Sequence, residues 1–427
     1  MKFVFDRKFH TVPDEGDICS GFYYEKAQYL SNVASGVADE GFLGHGSLFI
    51  DIFHSGTPYE TILTEDITDE DDLLYLIEPW PMFNGAKEKE KFGSIARPVN
   101  WNLTLKLIPE RIIELAQEGR LLILLHIPEF TSGLPLIKKN ITNTLKHLKI
   151  PAKQFKFISG IRDRGWYYWP GFEYSQLQCY NGMDVVQEVN LKKRKKKYTC
   201  LNRIDKSHRR YTAVSLWKRN LAKCGFLSYG FRKFTYEGLQ ESEWHDDPAE
   251  YDPIEWDIPL YEWKRFSDSR PWSADELTVE EHNHHWHVEK QHYDQAYWNF
   301  VTETGCSNVP FLSEKTFKPI ANLQPFIILG DKGSLKLLQD LGYKTFGDYI
   351  DESYDKIEVT DTRIRKATRQ AIELARMSHK EHVKLMHEIK PILEHNQQHF
   401  FKAKHRFEKF VKYIYGNKPA YNWLKDC

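Results

Sequence analysis

The chain has 427 residues, of which 41% are hydrophobic, 28% charged and 14% aromatic, a balance that excludes collagen-like, fully disordered and coiled-coil proteins. Lysine and arginine number 59 against 60 aspartate and glutamate, a net charge of −1. No global field therefore draws the protein to nucleic acid or to an anionic membrane, and any such binding must be local. The length accommodates two domains, each with its own core, and a ligand cleft between them.

The cysteines Cys19, Cys179, Cys200, Cys224, Cys306 and Cys427 lie far apart, without metal or disulfide spacing, and read as reduced thiols. The amino-terminal MKFVFDRKFHTV has no long apolar region. No window approaches the roughly 18 apolar residues of a membrane helix, so a cytosolic protein with no membrane span is expected.

Short apolar runs alternate with helical periodicity, the pattern of an α/β protein with buried parallel strands. In chain order the first strands are expected at Lys2–Phe5, Ser47–Phe53, Leu73–Ile77, Leu121–Ile127 and Phe155–Ser159. Ahead of the run LLILLHI, the residues Ile112, Ile113, Leu115 and Ala116 mark one face of a helix that Gly119 should stop. The run LKKRKKKY, Leu191 to Tyr198, places six basic residues in a row. Unpaired charges resist burial, so this segment reads as exposed, a linker or domain edge, and the boundary is set near 190. Beyond it come the strand-like YTCLN, a helix His208–Cys224 closed by Gly225, and a long loop from about Trp244 to Trp272. Strands are expected at Trp298–Thr302 and Pro325–Leu329, then helices from about Thr362 to Tyr415 punctuated by Pro391. The expected division is thus 1–190, 191–375 and a helical 376–427, with the last helices able to pack back on the first domain.

The segment Trp298–Phe346 carries the most chemistry. A strand ends in Thr302-Glu303-Thr304, Ser313 can cap a helix bearing Glu314, Lys315 and Lys318, and the next strand ends at Gly330. In a parallel sheet these strand ends and the helix start share one edge. Helix-end amides and lysine attract phosphate there, and a carboxylate can accept ribose hydroxyls. A solvated Glu-Lys face with Ser313 acting only as a cap is the plainer reading of the same residues.

The stretch TETGCSNVPFLSEKTFKPIANLQPFIILG resembles the donor-binding motif of GT-B glycosyltransferases of the fucosyltransferase-like kind, and SEKTFKP followed by PFI, GSL and LGYKTF looks like glycosyltransferase-like proteins of bacteriophages and large viruses. YTCLNRIDKSHRRYTAVSLWKRN resembles the opening of the same carboxy-terminal domain. The resemblance implies two Rossmann-like domains facing a cleft and a nucleotide sugar as donor substrate, with no cofactor. It implies that Asn202, Arg203 and Arg209 or Arg210 face the donor diphosphate while Glu314 and Lys315 hold ribose and phosphate. Arg203, Arg209, Arg210, Lys315 and Lys318 supply enough positive charge for the leaving diphosphate without a metal ion. Arg209 and Arg210 cannot point the same way on a helix, so one of them is expected to serve. Glu303 and Glu314 are expected to read ribose or sugar hydroxyls. If the sugar is inverted, the base that takes the acceptor proton is expected among Glu78, His126 and Glu129, each at or just past the end of an apolar strand.

A metal site is not expected. Asp69-Glu70-Asp71 lies in an acidic run suited to a cap or solvated loop. The histidines 282, 284, 285, 287 and 292 could hold zinc but lack cysteine or HExxH spacing, and read as a polar loop that can line the donor pocket. The acceptor is open among glycans, lipid-linked or protein acceptors and hydroxymethylated DNA bases. The competing reading is a nucleic-acid protein that uses Lys192–Lys197 for phosphates and Trp166, Tyr167, Tyr168 and Trp169 for stacking. Were DNA the acceptor, the basic run would lie beside the acceptor cleft.

Overall fold

The computed structural model describes residues 2–5, 60–69, 72–77, 108–127, 134–160, 167–169, 173, 177, 185–204, 206–232, 258–269, 288–306 and 309–415. The chain divides into two compact units, 1–175 with 404–427, and 176–403.

The first unit is built on β1 (Lys2–Phe5), β2 (Glu60–Leu63), β3 (Leu73–Ile77), β4 (Leu121–Ile127), β5 (Phe155–Ser159) and β6 (Tyr167–Tyr168). They form one six-stranded sheet in the order β2-β1-β3-β4-β5-β6, parallel throughout. Helix α1 (Glu110–Glu118) buries Ile112, Leu115 and Ala116. It stops where Gly119 takes φ 83°, a left-handed conformation that a side chain would strain, and its amide reaches back to the last turn. Helix α2 (Leu134–His147) joins β4 to β5.

The second unit carries β7 (Lys196–Ile204), helix α3 (Ser207–Lys218), β8 (Gly225–Arg232), α4 (Leu260–Asp268), α5 (Lys290–Asp294) and β9 (Ala296–Thr302). Helix α6 (Glu314–Ala321), β10 (Phe326–Leu329), α7 (Ser334–Asp340), α8 (Thr360–Arg376) and α9 (His379–Phe400) follow. Its four strands are parallel in the order β10-β9-β7-β8. Every residue of β9 and of β10 is buried, as expected of strands covered by helices on both faces. The fold is α/β, with both sheets wound outward in two directions from an inner strand. In the second sheet the winding reverses between β7 and β9, and a crevice for ligands opens at such a switch point, outside the carboxyl ends of the strands.

Helix α10 (Ala403–Tyr415) groups, from Lys404 onward, with the first unit. There Arg406 pairs with the buried Glu173. The division therefore falls at 175 rather than near 190, and α9 stays with the second unit. Residues 191–197 are no linker. Residues 191–195 lead directly into β7, an inner strand of the second sheet that already includes Lys196 and Lys197.

Other local readings shift as well. Expected strand Ser47–Phe53 lies outside the described residues, and β2 at Glu60–Leu63 takes a place in the sheet that the sequence pattern did not reveal. The helix expected over His208–Cys224 ends at Lys218, because Asn220 turns left-handed with φ 59°. Gly225 opens β8 instead of closing the helix; a Cβ there would run into the Tyr198 ring. The loop expected near Trp244–Trp272 contains α4, and its residues 244–257 and 270–272 lie outside the described residues. Helix α9 runs through Pro391. The helical segment is broken at Ser378, which starts α9 with a reciprocal capping box to Glu381, and again between α9 and α10.

Candidate functional site at the carboxyl edge of the second sheet

Three chain exits meet where the winding reverses. Strand β7 leaves through Asn202-Arg203-Ile204, and its register with β8 shifts between Asn202 and Ile204, an irregularity common beside functional sites. Strand β9 leaves through Thr302 and Glu303, and β10 through Leu329 and Gly330. The expected convergence of Glu303, Ser313, Glu314, Lys315 and Gly330 on one edge is what the structure contains.

Glu303 is fully buried. Its Oε1 accepts from the Ser313 amide at 3.1 Å and Thr316 Oγ1 at 2.6 Å, and its Oε2 from Ser313 Oγ at 2.6 Å and the Thr304 amide at 3.0 Å. Four bonds occupy the acceptor capacity of a carboxylate. Glu303 is thus the tie between the end of β9 and the start of α6, and the expectation that it reads sugar or ribose hydroxyls is corrected. Gly330 lets this tie form, since a Cβ there would stand 2.8 Å from Glu303 Cβ. Ser313 caps α6 as its position implied, its Oγ receiving the Lys315 amide at 3.3 Å. Pro319 within α6 withholds the amide that would reach back to Lys315.

The turn after β7 clamps the same main chain from the other side. Lys206 Nζ donates to the Thr304 carbonyl at 2.6 Å, while the Glu303 carbonyl accepts from His208 Nε2 at 2.8 Å and Arg209 Nη2 at 3.0 Å. A carbonyl only accepts, so His208 carries its proton on Nε2. Burial, aided by the Arg209 charge, pushes the His208 pKa down to about 3, and the ring is neutral at physiological pH. Arg209 is buried in this clamp, and its expected place facing a diphosphate is corrected to that of a brace. Arg210 diverges from it as helical geometry required and lies 4.8 Å over the Trp263 ring of α4.

Asn202 is also internal. Its Oδ1 accepts from Thr302 Oγ1 at 2.6 Å, and its Nδ2 donates to the Ser228 carbonyl at 3.2 Å and toward Cys200 Sγ at 3.4 Å. It therefore stitches β7 to β8 and β9 rather than facing a ligand. The Arg203 backbone belongs to β7, and its side chain is outside the described residues.

What remains accessible is a rim of cations. Lys315 keeps 29% of its side chain exposed and contacts Glu314 Oε1 at 2.5 Å, Thr304 Oγ1 at 3.2 Å and Ser313 Oγ at 3.3 Å. Lys206, Arg210 and Lys318 are half-buried. Glu314 is the carboxylate nearest the rim, held by Lys315. Such an edge can hold an anion on preorganised cations, whereas Glu303 is fully engaged and offers no proton acceptor. Lys206 and His208 were not singled out in the sequence; two further polar residues in the short turn between a strand and its helix were the available signal.

In the first unit His126 is fully buried, its ring edge-on to Trp169 at 4.3 Å. The expectation that the end of β4 exposes it is corrected: it belongs to the core. Glu78 and Glu129 lie outside the described residues, as do Glu70, Asp71 and the histidines 282, 284, 285 and 287. Asp69 is exposed. His292 is buried in α5, tilted against Phe226 at 4.8 Å. Among the described residues no group of three His, Cys, Asp or Glu side chains could hold a metal ion, and no helix is long and apolar enough to cross a membrane. Cys200, Cys224 and Cys306 are free thiols.

No family model matches the chain, and no curated protein matches it. Among solved structures it is similar to the crystal structure of the DNA-modifying enzyme β-glucosyltransferase, determined with and without uridine diphosphoglucose. That likeness has 11% identity and a TM-score of 0.33 over 96% of this chain and 100% of the other, too slight to carry an argument about fold or chemistry.

Proposed function

We propose that this chain is a GT-B-type glycosyltransferase that moves a sugar from a nucleoside-diphosphate donor to a hydroxyl acceptor, with the donor at the carboxyl edge of the second sheet. The observation that carries the reading is the reversal of winding between β7 and β9, with the partly exposed Lys315 at the same edge. In this reading Lys315 exchanges Glu314 for the diphosphate and offsets the charge that develops as the sugar leaves, while Glu314 turns to the ribose hydroxyls. Arg203, Arg210 and Lys318 add to the positive rim, and protein cations take the role a divalent ion would otherwise fill. Lys206, His208, Arg209 and Glu303 act as positioning residues: they fix residues 303–304 and the start of α6, and through them Lys315. If the reaction inverts the sugar, Glu129 or Glu78 is the base that takes the acceptor proton. The acceptor is a glycan hydroxyl or a hydroxymethylated DNA base.

Calorimetric titration with GDP, UDP, CDP and dTDP tests the donor site. Selective binding of one nucleoside diphosphate is expected. In Lys315→Ala it should weaken by about 1.5 to 3 kcal/mol, the loss of one charge-assisted hydrogen bond, or roughly ten- to a hundredfold in affinity. Equal affinity in the variant removes Lys315 from the site, and no binding of any of the four removes the reading.

A further inference from the structure

The basic run lies at the opposite edge of the same sheet from the donor site. β7 starts at Lys196 and ends at Ile204, and at about 3.3 Å per residue the two ends stand roughly 25 Å apart. The run therefore stands away from the carboxyl edge that the proposed function assigns to the donor.

The six basic residues also divide in two. Arg194 is buried. Its guanidinium is taken up by the carbonyls of Asn190, Tyr293 and Ala296, it packs over the Tyr297 ring at 5.5 Å, and burial lowers its pKa only to about 10, so it stays charged. Lys196 lies over Phe226 and donates to the Lys223 carbonyl at 2.9 Å. These two anchor the segment. Lys192, Lys193 and Lys195 are exposed and Lys197 half-buried, and none forms an ion pair with a described residue. The start of α9 adjoins them: Lys193 and Lys197 lie close enough to His379 to lower its pKa, secondary to burial, and Lys380 beside it is exposed. Two carboxylates oppose this charge: Asp294 acts on Arg194, and Glu381, engaged with the Ser378 backbone in the capping box, also feels Lys197.

We infer that Lys192, Lys193, Lys195, Lys197, His379 and Lys380 form a docking surface for the phosphate backbone of duplex nucleic acid, separate from the donor edge. The anchoring by Arg194 matters because it holds a flexible type of side chain on a fixed segment, so the lysines do not scatter. Lysine is a point charge suited to sequence-independent phosphate contact. Among the described residues no exposed large hydrophobic side chain lies within 190–197 or 376–384, which leaves this surface without the apolar anchor a membrane-bound segment uses. Among the described residues it also has no exposed Trp, Tyr or Phe ring on which single-stranded bases could stack. Trp169, the one member of the aromatic cluster with a described side chain, is buried in the first unit's core.

The test is fluorescence anisotropy of the full chain with a labelled duplex of about 20 base pairs. With about four phosphates neutralised, log affinity should fall against log salt with a slope of about −3 to −4, roughly a hundredfold between 50 and 200 mM. Lys192→Ala/Lys193→Ala/Lys195→Ala should bring the slope to about −1, and the same three positions changed to arginine should restore it. Circular dichroism melting of both variants confirms that each is folded. An unchanged slope in the alanine variant, no duplex binding at low salt, or binding to phosphatidylserine vesicles in place of DNA would each overturn the inference. The donor site is read separately by nucleoside-diphosphate titration and Lys315→Ala, so either reading can fail alone.

Discussion

The two edges of the second sheet carry comparable numbers of ionisable groups and use them in opposite ways. At the carboxyl edge Glu303, His208 and Arg209 are all buried, the last two bonded to the Glu303 carbonyl, and only a thin rim with Lys315 remains open. At the amino edge one arginine is buried as an anchor and the lysines beside it point outward. A buried charge is tolerated only when its hydrogen bonds are met. The carboxyl edge is therefore a rigid frame whose members cannot be exchanged singly, while the amino edge is a surface whose charges act almost independently. Charged residues near a strand end thus do not announce a ligand site: the same residue types serve as frame or as surface according to how many main-chain partners lie within reach.

The largest expected effect comes from breaking the frame. In Glu303→Gln the amide nitrogen faces donors where an oxygen accepted them, leaving buried groups unmet. The stability cost should be about 3 to 5 kcal/mol, read as a lowered midpoint in urea denaturation. By contrast, alanine at the exposed Lys192 should shift stability by no more than about 0.5 kcal/mol. A Glu303→Gln protein as stable as the parent would mean that the carboxylate is not the tie.

Acid should find one histidine of this frame and one buried near the amino edge. His208 titrates near 3 in the folded chain and His382, buried and stacked on Tyr297 at 4.5 Å, near 4, whereas an unfolded histidine takes its proton near 6.5. Between those values the unfolded state binds more protons, so this contribution is complete above about pH 6.5 and is lost as pH falls toward the folded values. Each histidine should cost about 1.4 kcal/mol per pH unit in that window, near 4 kcal/mol for the pair by pH 5. Urea midpoints between pH 7 and 5 measure it, and a flat profile would contradict the burial of both rings.

Much of the architecture was legible because burial on both faces leaves a plain signal. Leu73–Ile77 is a continuous apolar run, Leu121–Ile127 is apolar but for His126 and Phe155–Ser159 is dominated by Phe155, Phe157 and Ile158, and their bounds match β3, β4 and β5. β8 was hidden by its composition: GFLSYGFR interrupts the apolar pattern with serine and two glycines, and its first glycine mimics a helix stop. Arg194 read as exposed because a run of charges hides the one member whose several donors can be met by carbonyls at the ends of α5 and its neighbours. At the candidate site the edge itself was legible from the strand-cap-strand pattern. The division of labour was not, since a strand-end carboxylate followed by Ser313 and Thr316 accepts from a ribose and from a helix start by the same chemistry. Only the depth of Glu303 in the fold separates the two.

The smallest change sharpens the comparison most, because it adds one methyl group and removes no charge. In Gly330→Ala the new carbon meets Glu303 Cβ at 2.8 Å and the Gly305 carbonyl at 3.3 Å, and both are held, the first by its four hydrogen bonds and the second by the backbone. The carboxylate must then move by a few tenths of an ångström, and its short bonds to Ser313 and Thr316 lengthen. A loss of about 1 to 2 kcal/mol is expected from such overpacking, together with a weaker grip on the start of α6. If Lys315 works through that start, nucleoside-diphosphate binding should fall with stability in Gly330→Ala, although residue 330 touches no ligand. Reduced stability with unaltered nucleotide affinity would show that the frame and the cationic rim are not coupled, and Lys315 would then act as a free surface charge, as the lysines of the opposite edge do.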